Sequence, residues 1–379
     1  MKIIRIQTDS GEIVLGRVRE SGERTTLKGD LFGELRDTGE PLPEGRLLAP
    51  LDPVDILCIG LNYQKHAEEG GKPLPQHPVL FMKTTSALQH PGEPIVLPRK
   101  LASSKVDYEC ELAVVIGKPC KNVAAADALD YVLGYACGND VSARDWQKHG
   151  GGGQWCRGKT FDTFAPIGPC LVTQGDAPDD IADPNTLRIR TVLNGRTMQD
   201  WNTGDMIFSV PRLIEFLSGS TTLMPGTVIF TGTPHGVGFA RNPPVFLQEG
   251  DEVTVAIDGI GELTNPVIGE PGYAPPPSPA PTPAAAPQPQ RGPEGPSGAA
   301  GYSMRELIMI GLGASILLGG LSALLRVDGR LMVSRDAFAL MALPIAIVMG
   351  ALLFFGFKGG VVGAVVGVGV FMLMFLSMT

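Results

Sequence analysis

The sequence is poor in aromatic residues, in paired cysteines and in clustered positive charge. Phe, Trp and Tyr make up 6% of its 379 residues, and none of the six cysteines belongs to a C-x-x-C pair. The formal net charge is -8, without a basic stripe. These absences argue against a structural zinc site and against a nucleic-acid-binding surface.

Charged residues are almost missing from the last 75 residues. Three segments, 307–325, 337–357 and 359–379, run 19, 21 and 21 residues without an ionisable side chain. Each meets the length of about 20 apolar residues that a helix needs to cross a bilayer. The alternative is a buried helix pair in a soluble domain. We predict a membrane domain at 304–379 with three transmembrane helices and a lipid bilayer as partner.

Two features of the sequence give conflicting predictions for the cellular location of the rest of the chain. The cysteines look reduced, and the first residues lack the apolar core of a secretory signal, which favours a cytoplasmic catalytic domain. The arginines of loop 326–336 favour a cytoplasmic loop instead, although one predicted span separates that loop from the domain. We predict a membrane-anchored protein whose catalytic domain lies in the cytoplasm.

The remaining residues divide by composition into three parts. Residues 1–50 predict a small N-terminal β domain. Residues 54–270 predict a β-rich α+β catalytic domain. Residues 271–303 hold eleven of the 33 prolines and predict a Pro-rich linker. Within the catalytic part, short apolar runs predict strands at 55–60, 79–82, 112–116, 167–172, 187–193, 227–230 and 253–257. Helices are predicted at 124–131 and 210–217, and two-residue hairpin turns at Asn194-Gly195 and Asp258-Gly259.

Three acidic residues lie where predicted strands begin or end. Glu109 and Glu111 are two residues apart before the apolar run 112–116, so both carboxylates point to one face of a strand. Asp140 follows the next apolar segment, 131–137. Three acids at one place need a cation, and oxygen ligands select Mg²⁺ first, then Mn²⁺ or Ca²⁺. The alternative is a solvated acidic strand edge.

A histidine and a lysine are candidates for proton transfer and charge stabilisation. His66 and Glu69 share a face if this segment is helical, and a histidine oriented by a carboxylate is a competent general base. The alternative is a surface helix contact. Lys159 has glycine and aromatic neighbours and is a candidate to stabilise a developing enolate, the alternative being a solvated loop lysine.

Further polar residues are candidates for binding the substrate. Thr231 and Gly232 end a predicted strand in a tight turn whose donors suit a carboxylate or an oxyanion. Arg144 and Gln147 are candidates to hold substrate oxygens. The alternative for Arg144 is pairing with a carboxylate of the protein.

Five motifs occur in order along the chain. They are Gly60-Leu-Asn-Tyr63 with His66, Asp107-Tyr-Glu-Cys-Glu111, Asn139-Asp-Val-Ser-Ala-Arg-Asp-Trp-Gln147, Gly158-Lys-Thr-Phe-Asp-Thr-Phe164 and Thr231-Gly-Thr-Pro-His-Gly-Val-Gly238. Together they resemble the fumarylacetoacetate hydrolase family, and within it the domain-containing protein 2 type. The resemblance covers about residues 1–268, including a short N-terminal domain like that of bacterial members.

The resemblance implies a mixed β-roll, a homodimer and a divalent ion bound by Glu109, Glu111 and Asp140. It implies that His66 with Glu69 activates water. The residues that it places on the substrate side are Lys159, Gln147 and Thr231. Tyr63, Arg144 and Gly232 are predicted as further substrate-binding residues. The linker and the tail are not part of the pattern.

The leading hypothesis is a metal-dependent hydrolase that cleaves a carbon–carbon bond in a small 1,3-dioxo or 2-oxo carboxylic acid. The ion would act as a Lewis acid, and the leaving carbanion would be an enolate held by the ion and Lys159. The same enolate would serve an isomerase or a decarboxylase of a 2-oxo or 2-hydroxydienoic acid, which is the alternative. A further alternative is a membrane-tethered binding module without turnover.

Overall fold

The computed structural model describes residues 1–150, 152–274, 326–327 and 330–331. Met1–Ala280 forms one compact unit, and Pro281–Thr379 forms a second. In the second unit, Arg326–Val327 and Arg330–Leu331 pair as two short antiparallel strands. The predicted spans 307–325, 337–357 and 359–379, and the linker beyond residue 274, lie outside the described residues.

The helices of the described chain are short. The longest α-helix, Val210–Ser218, has nine residues, and no helix of the described part is long and apolar enough to cross a bilayer. A spanning helix needs about 20 apolar residues. The predicted localisation, a membrane-anchored protein with a cytoplasmic catalytic domain, is therefore corrected, and the lipid contact predicted with it is not supported.

In the described residues of the first unit, nineteen strands form three sheets. The twelve-stranded sheet contains β1 (Lys2–Gln7), β2 (Ile13–Val18), β3 (Arg24–Gly29), β4 (Leu35–Pro41), β5 (Arg46–Leu48), β6 (Asp55–Gly60), β7 (Val79–Lys83), β8 (Leu88–Gln89), β11 (Cys110–Ile116), β12 (Val132–Asn139), β14 (Ala165–Thr173) and β17 (Thr227–Phe230). The five-stranded sheet contains β9 (Ile95–Leu97), β15 (Arg188–Leu193), β16 (Arg196–Asn202), β18 (Glu252–Ile257) and β19 (Gly261–Gly269). β10 (Val106–Asp107) and β13 (Ser142–Ala143) pair with each other.

The helical elements are few. The α-helices are α1 (Gln64–Glu69), α2 (Cys156–Lys159) and α3 (Val210–Ser218). Single turns of 3₁₀-helix lie at Thr85–Ala87, Thr203–Asp205 and Gly238–Ala240, with a longer one at Ala125–Tyr131 and a π-helix at Trp146–Gly150.

The large sheet is mixed and runs in the order β4-β3-β2-β1-β14-β12-β11-β17-β6-β7. β17 and β6 are parallel, whereas β11 is antiparallel to both β12 and β17. The first strand of the chain joins this sheet by pairing with β14, with Ile3 opposite Leu171. The fold is thus β-rich, with mixed sheets and few helices, as predicted.

Strand β11 lies in the middle of the core, and all seven of its residues are buried. Side chains alternate along a strand, so Leu112 and Val114 face the core that the sheet shares with α3 and the five-stranded sheet. Ala113 and Val115 face a second core on the opposite side. Burial on both faces explains why this strand is a continuous apolar run rather than an alternating one.

Most local predictions agree with the structure. All seven predicted strands and the helix at 210–217 are present within one or two residues of the expected bounds. The Asn194-Gly195 turn joins β15 to β16 with Leu193 opposite Arg196. Two expectations differ. Residues 125–131 form a 3₁₀-helix, and the turn at Asp258-Gly259 has three residues, because Ile257 pairs with Gly261.

Candidate active site

Three carboxylates meet where β11 begins and β12 ends. Glu109 directly precedes β11, Glu111 is its second residue, and Asp140 directly follows β12. The two strands are antiparallel with Cys110 opposite Asn139, so these ends lie side by side. One carboxylate oxygen from each acid lies within 4.8 Å of the others, and all three residues are buried. The structure therefore brings together the three acids that the sequence pointed to.

Two buried lysines contact this acid group. The Lys159 ammonium donates to Glu109 Oε2 and to Asp140 Oδ2, each at 2.6 Å. The Lys83 ammonium lies 2.7 Å from Asp140 Oδ1 and donates to the carbonyl oxygens of Val141, Lys159 and Phe164 at 3.0, 2.7 and 2.8 Å. Burial lowers the pKa of Lys83 in spite of Asp140. For Lys159, burial acts in the same direction, but Asp140 and Glu109 raise its pKa overall.

Arg144 forms a second buried set of ion pairs. Its Nε donates to Asp107 Oδ2 at 2.9 Å and its Nη2 to Glu109 Oε1 at 2.7 Å. Its Nη1 donates to Gln147 Oε1 at 3.1 Å. Burial favours a raised pKa for Glu109, but the charges of Arg144 and Lys159 hold it well below its ordinary value. Arg144 thus pairs with protein carboxylates, the alternative that its sequence context left open.

We call these seven residues the acid–cation cluster: Asp107, Glu109, Glu111, Asp140, Arg144, Lys159 and Lys83. If all are ionised, four negative charges face three positive charges, which leaves one negative charge in excess (4 − 3 = 1). The excess falls on Glu111, which forms no ion pair within the described residues. Burial and the neighbouring carboxylates of Asp140 and Glu109 raise the pKa of Glu111 well above its ordinary value.

The acid trio fits a divalent cation by charge and by ligand chemistry. Its ligands are all oxygen atoms, the set preferred by Mg²⁺, Mn²⁺ and Ca²⁺. The Glu111 carboxylate is held by the Gly232 N–H, which donates to its Oε2 at 2.6 Å. Gly232 has φ +96°, and a Cβ there would lie 2.7 Å from Asn62 Cβ. Glycine is therefore needed for this turn to approach Glu111.

His66 and Glu69 form a hydrogen-bonded pair on α1. The His66 Nδ1 lies 3.0 Å from Glu69 Oε2, and Glu69 Oε1 accepts from the Gly236 N–H at 2.9 Å. The Phe239 ring connects this pair to the acid–cation cluster. It lies edge-on to the His66 ring at 6.4 Å and 4.5 Å from the Arg144 guanidinium carbon. Since Nδ1 faces a carboxylate, Nε2 is the nitrogen left for a substrate proton.

Two of the expected substrate contacts are buried in the protein. Tyr63 is fully buried within the main core. The Thr231 hydroxyl donates to the Leu112 carbonyl at 3.0 Å and is also fully buried. Their roles on the substrate side stay predictions, as do those of Gln147 and Gly232.

Three residues of the site were missed or left without a role. Asp107 accepts hydrogen bonds from the backbone N–H groups of Gly238 and Phe239 at 2.8 and 3.0 Å, besides Arg144. Lys83 and Phe239 were not singled out. A signal existed for Lys83, because period two along β7 places it on the same face as buried Phe81. No local signal places Phe239 beside His66.

Several enzymes combine a β-rich fold with a buried site of oxygen ligands. Comparison with known proteins identifies the family within this class. Residues 55–268 match the family model described as fumarylacetoacetate (FAA) hydrolase C-terminal, and residues 1–50 match the model described as Rv2993c-like, N-terminal. The first match covers more than half of the chain. The chain belongs to the fumarylacetoacetate hydrolase family, which confirms the predicted resemblance.

Individual relatives point to particular reactions. A fumarylacetoacetate hydrolase domain-containing protein 2 homolog of Dictyostelium discoideum is 47% identical over 232 residues, 60% of this chain and 75% of the relative. The mitochondrial oxaloacetate tautomerase of Xenopus laevis is 49% identical over 223 residues, 59% of this chain and 68% of the relative. The mitochondrial location of that relative also disagrees with the cytoplasmic location predicted for this chain.

One solved structure is also similar to this chain. The crystal structure of a 5-carboxymethyl-2-hydroxymuconate delta-isomerase from Mycobacterium smegmatis is 39% identical, with a TM-score of 0.61. The match covers 71% of this chain and 100% of that protein.

Proposed function

We propose that this protein is a metal-dependent isomerase that interconverts the enol and keto forms of a small 2-oxo dicarboxylic acid. The observation that carries the proposal is a histidine–carboxylate pair, His66 with Glu69, joined through Phe239 to Arg144 of the acid–cation cluster that contains the buried acid trio. Support also comes from relatives named as an oxaloacetate tautomerase and a hydroxymuconate isomerase.

Isomerisation is thus placed before carbon–carbon bond hydrolysis, the reverse of the order favoured from the sequence alone. Both reactions pass through an enolate, so the motif residues do not separate them. Isomerisation needs a proton acceptor and a stabilised oxygen anion, but no attacking water. The pair and the cluster supply those two functions. The expected homodimer stays a prediction.

The ion proposed for the site is Mg²⁺, which Glu109, Glu111 and Asp140 would hold. A bound divalent ion would supply Lewis-acid stabilisation of negative charge on the 2-oxo oxygen. With all seven groups ionised, the acid–cation cluster has one excess negative charge, so a divalent ion would turn it to one excess positive charge (−1 + 2 = +1). That sign favours an anionic substrate.

His66 moves the proton. In the keto-to-enol direction, the C3–H bond breaks and His66 Nε2 takes the proton. The electron pair of that bond forms the C2=C3 double bond, and the C2=O π pair moves onto O2. Solvent protonates O2 and later removes the proton from His66, so the reaction balances. Glu69 holds the ring through Nδ1 and stabilises the imidazolium formed in the step.

Lys159 contributes a positive charge to the site. Its ammonium is buried against Glu109 and Asp140, and a fixed cation at this depth stabilises an oxygen anion more strongly than one in water does. Arg144 and Lys83 keep the same carboxylates in place. The site therefore has its charges positioned before the substrate arrives.

The test compares His66→Asn with His77→Asn. His77 is an exposed histidine that stacks on Phe216 at 6.2 Å and serves as the matched control. The rate of conversion of the enol form of oxaloacetate to the keto form is measured with Mg²⁺ present, and Mg²⁺ affinity is measured by calorimetry. We expect His66→Asn to lower kcat/KM by about 10²- to 10⁴-fold, the range for a general base, with unchanged Mg²⁺ affinity.

The outcomes separate the hypotheses. An acylpyruvate is offered in parallel, and its cleavage without any acceleration of enol-oxaloacetate would restore the hydrolase hypothesis. Full tautomerase activity in His66→Asn would remove the histidine from the mechanism. A wild-type protein that binds Mg²⁺ but turns over neither compound would favour the non-catalytic binding module.

A further inference from the structure

The Phe239 ring has a second cation beside it that the mechanism does not use. The Lys148 ammonium lies 4.2 Å from the ring centroid, close to the 4.5 Å of the Arg144 guanidinium. Arg144 is already paired with two carboxylates. Lys148 is exposed, and it follows Gln147, whose side chain accepts from Arg144. A free positive charge therefore lies on the open side of the ring that also contacts His66.

Two more lysines, Lys72 and Lys105, carry charges that act on Lys148. Lys72 follows the helix that carries His66, and Lys105 directly precedes β10, its carbonyl accepting from the Arg144 N–H at 2.9 Å. We call Lys72, Lys105 and Lys148 the lysine rim. Among the described residues, none of the three has a carboxylate within 4.0 Å, although the chain carries a net charge of -8. Burial and the charges of Arg144, Lys72 and Lys105 lower the pKa of Lys148.

Positive charges that act on the same surface attract an anion to it. The carboxylates of the neighbouring cluster do not neutralise these lysines, because Asp107, Glu109 and Asp140 are paired internally. The Lys148–Phe239 contact fixes the ammonium near the reacting groups, since a cation over an aromatic face is held by the ring quadrupole. The rim is therefore placed to receive a negative charge from outside the protein.

We propose that Lys148, supported by the charges of Lys72 and Lys105, binds the distal carboxylate of the substrate and selects dicarboxylic over monocarboxylic 2-oxo acids. The inference rests on the proposed function for the position of the first carboxylate and the 2-oxo group, which belong at the acid trio. It goes beyond that function by assigning the residue that recognises the far end of the substrate. Lys148 is a specificity-determining residue in this assignment.

The test measures binding rather than turnover. Malate and 2-hydroxybutanoate are non-reacting analogues with the same 2-hydroxy acid head and the same four carbons, and only malate has a distal carboxylate. Their dissociation constants for the Mg²⁺-loaded full chain are compared in wild type and Lys148→Met. We expect Lys148→Met to weaken malate binding about 10-fold, the loss of one charge-assisted contact. The affinity for 2-hydroxybutanoate should not change.

Lys118→Met is the matched control. Its ammonium also lies over an aromatic ring, that of Tyr131, at 5.9 Å. It follows the far end of β11, seven or more residues from the acid trio, which is on the order of 20 Å along a strand. This variant should leave both affinities as in wild type.

Equal losses for both analogues in Lys148→Met would assign the residue to general electrostatics and overturn the inference, as would unchanged malate binding. Failure of the proposed function gives a different pattern. In that case neither analogue competes with the other for a Mg²⁺-dependent site in wild type, and enol-oxaloacetate is not converted. A reversed preference in Lys148→Glu, against malate alone, would support the assignment further.

Discussion

The two sides of the candidate site are built in different ways. The acid–cation cluster is almost completely buried, with Lys83, Lys159 and Glu111 each 2% exposed, and its members come from strand ends, the segments beside them and the last residue of α2. The side that carries His66, Glu69 and Phe239 depends on a six-residue helix and a 3₁₀ turn, and the Glu69 side chain is 22% exposed. The cluster holds charge in a fixed, buried arrangement, whereas water still reaches the Glu69 carboxylate on the histidine side.

This contrast predicts which substitutions should affect folding and which should affect mainly the chemistry. A buried charge that loses its partner costs several kcal/mol, because it cannot be solvated. A residue that water still reaches, such as Glu69, is partly solvated when it loses its partner. Substitutions in the cluster should therefore change metal binding or stability strongly, and those on the histidine side should change mainly the rate.

The largest effect is expected for Glu111→Gln, which removes the one acid of the cluster without an ion pair. Loss of this ligand should abolish measurable Mg²⁺ binding by calorimetry and lower kcat/KM by about 10⁴-fold, equivalent to roughly 5.5 kcal/mol. The metal-free variant should be at least as stable as wild type, because burial and the neighbouring carboxylates disfavour a charge at position 111, and the neutral amide still accepts from the Gly232 N–H.

Glu262→Gln is the control for this change, since Glu262 is an exposed carboxylate on β19. It should leave Mg²⁺ binding and activity unaltered. A Glu111→Gln variant that binds Mg²⁺ normally would show that the trio is not the metal site, and the comparison between the two sides would lose its basis.

An intermediate effect is expected for Lys83→Met, which tests whether the cluster supports the fold. The change leaves three buried carbonyls without their Lys83 donor and removes a partner of Asp140. We expect a loss of about 3–5 kcal/mol in the free energy of unfolding, measured by urea denaturation. Lys28→Met, which breaks the exposed pair with Glu40, should cost less than about 1 kcal/mol. Equal losses in both variants would contradict the assigned role of burial.

The contrast between the two sides also explains how far sequence reasoning reached. The meeting of Glu109 and Glu111 was predictable, because alternation along a strand is a local rule. The pairing of His66 with Glu69 was also predictable from a local rule, because residues three apart share one face of a helix. Lys83 was missed because the carbonyls it contacts lie 58 to 81 residues further along the chain. Such contacts depend on how the strands are ordered in the sheet.

The order of the large sheet was itself beyond local patterns. Seven strands were predicted from apolar runs, but no run indicates that β1 pairs with β14 or that β17 lies between β11 and β6. Those neighbours place Phe230 opposite Ala113 and bring the Gly232 N–H to Glu111. The mixed β-roll was predicted from the resemblance to a family and not from the spacing of residues.

The smallest effect is expected for Glu69→Gln on the histidine side. Burial favours a raised pKa for the Glu69 carboxyl, but hydrogen bonds from His66 and the Gly236 N–H lower it below the ordinary value of 4.5. Because the folded pKa is the lower one, the carboxylate stabilises the fold at pH values above 4.5. That contribution is lost as pH falls through the folded pKa.

Glu69→Gln should therefore lower kcat/KM about 10-fold, as expected for a carboxylate that only orients a histidine, and cost about 1 kcal/mol of stability at pH 7. The stability difference from wild type, followed by urea denaturation at several pH values, should shrink as the solution becomes more acidic. Glu68→Gln, which breaks only the exposed pair with Lys65, should show neither effect. A difference that grows toward acidic pH would mean that Glu69 is protonated in the folded protein, and His66 would then lack the anionic partner on which its role as a base depends.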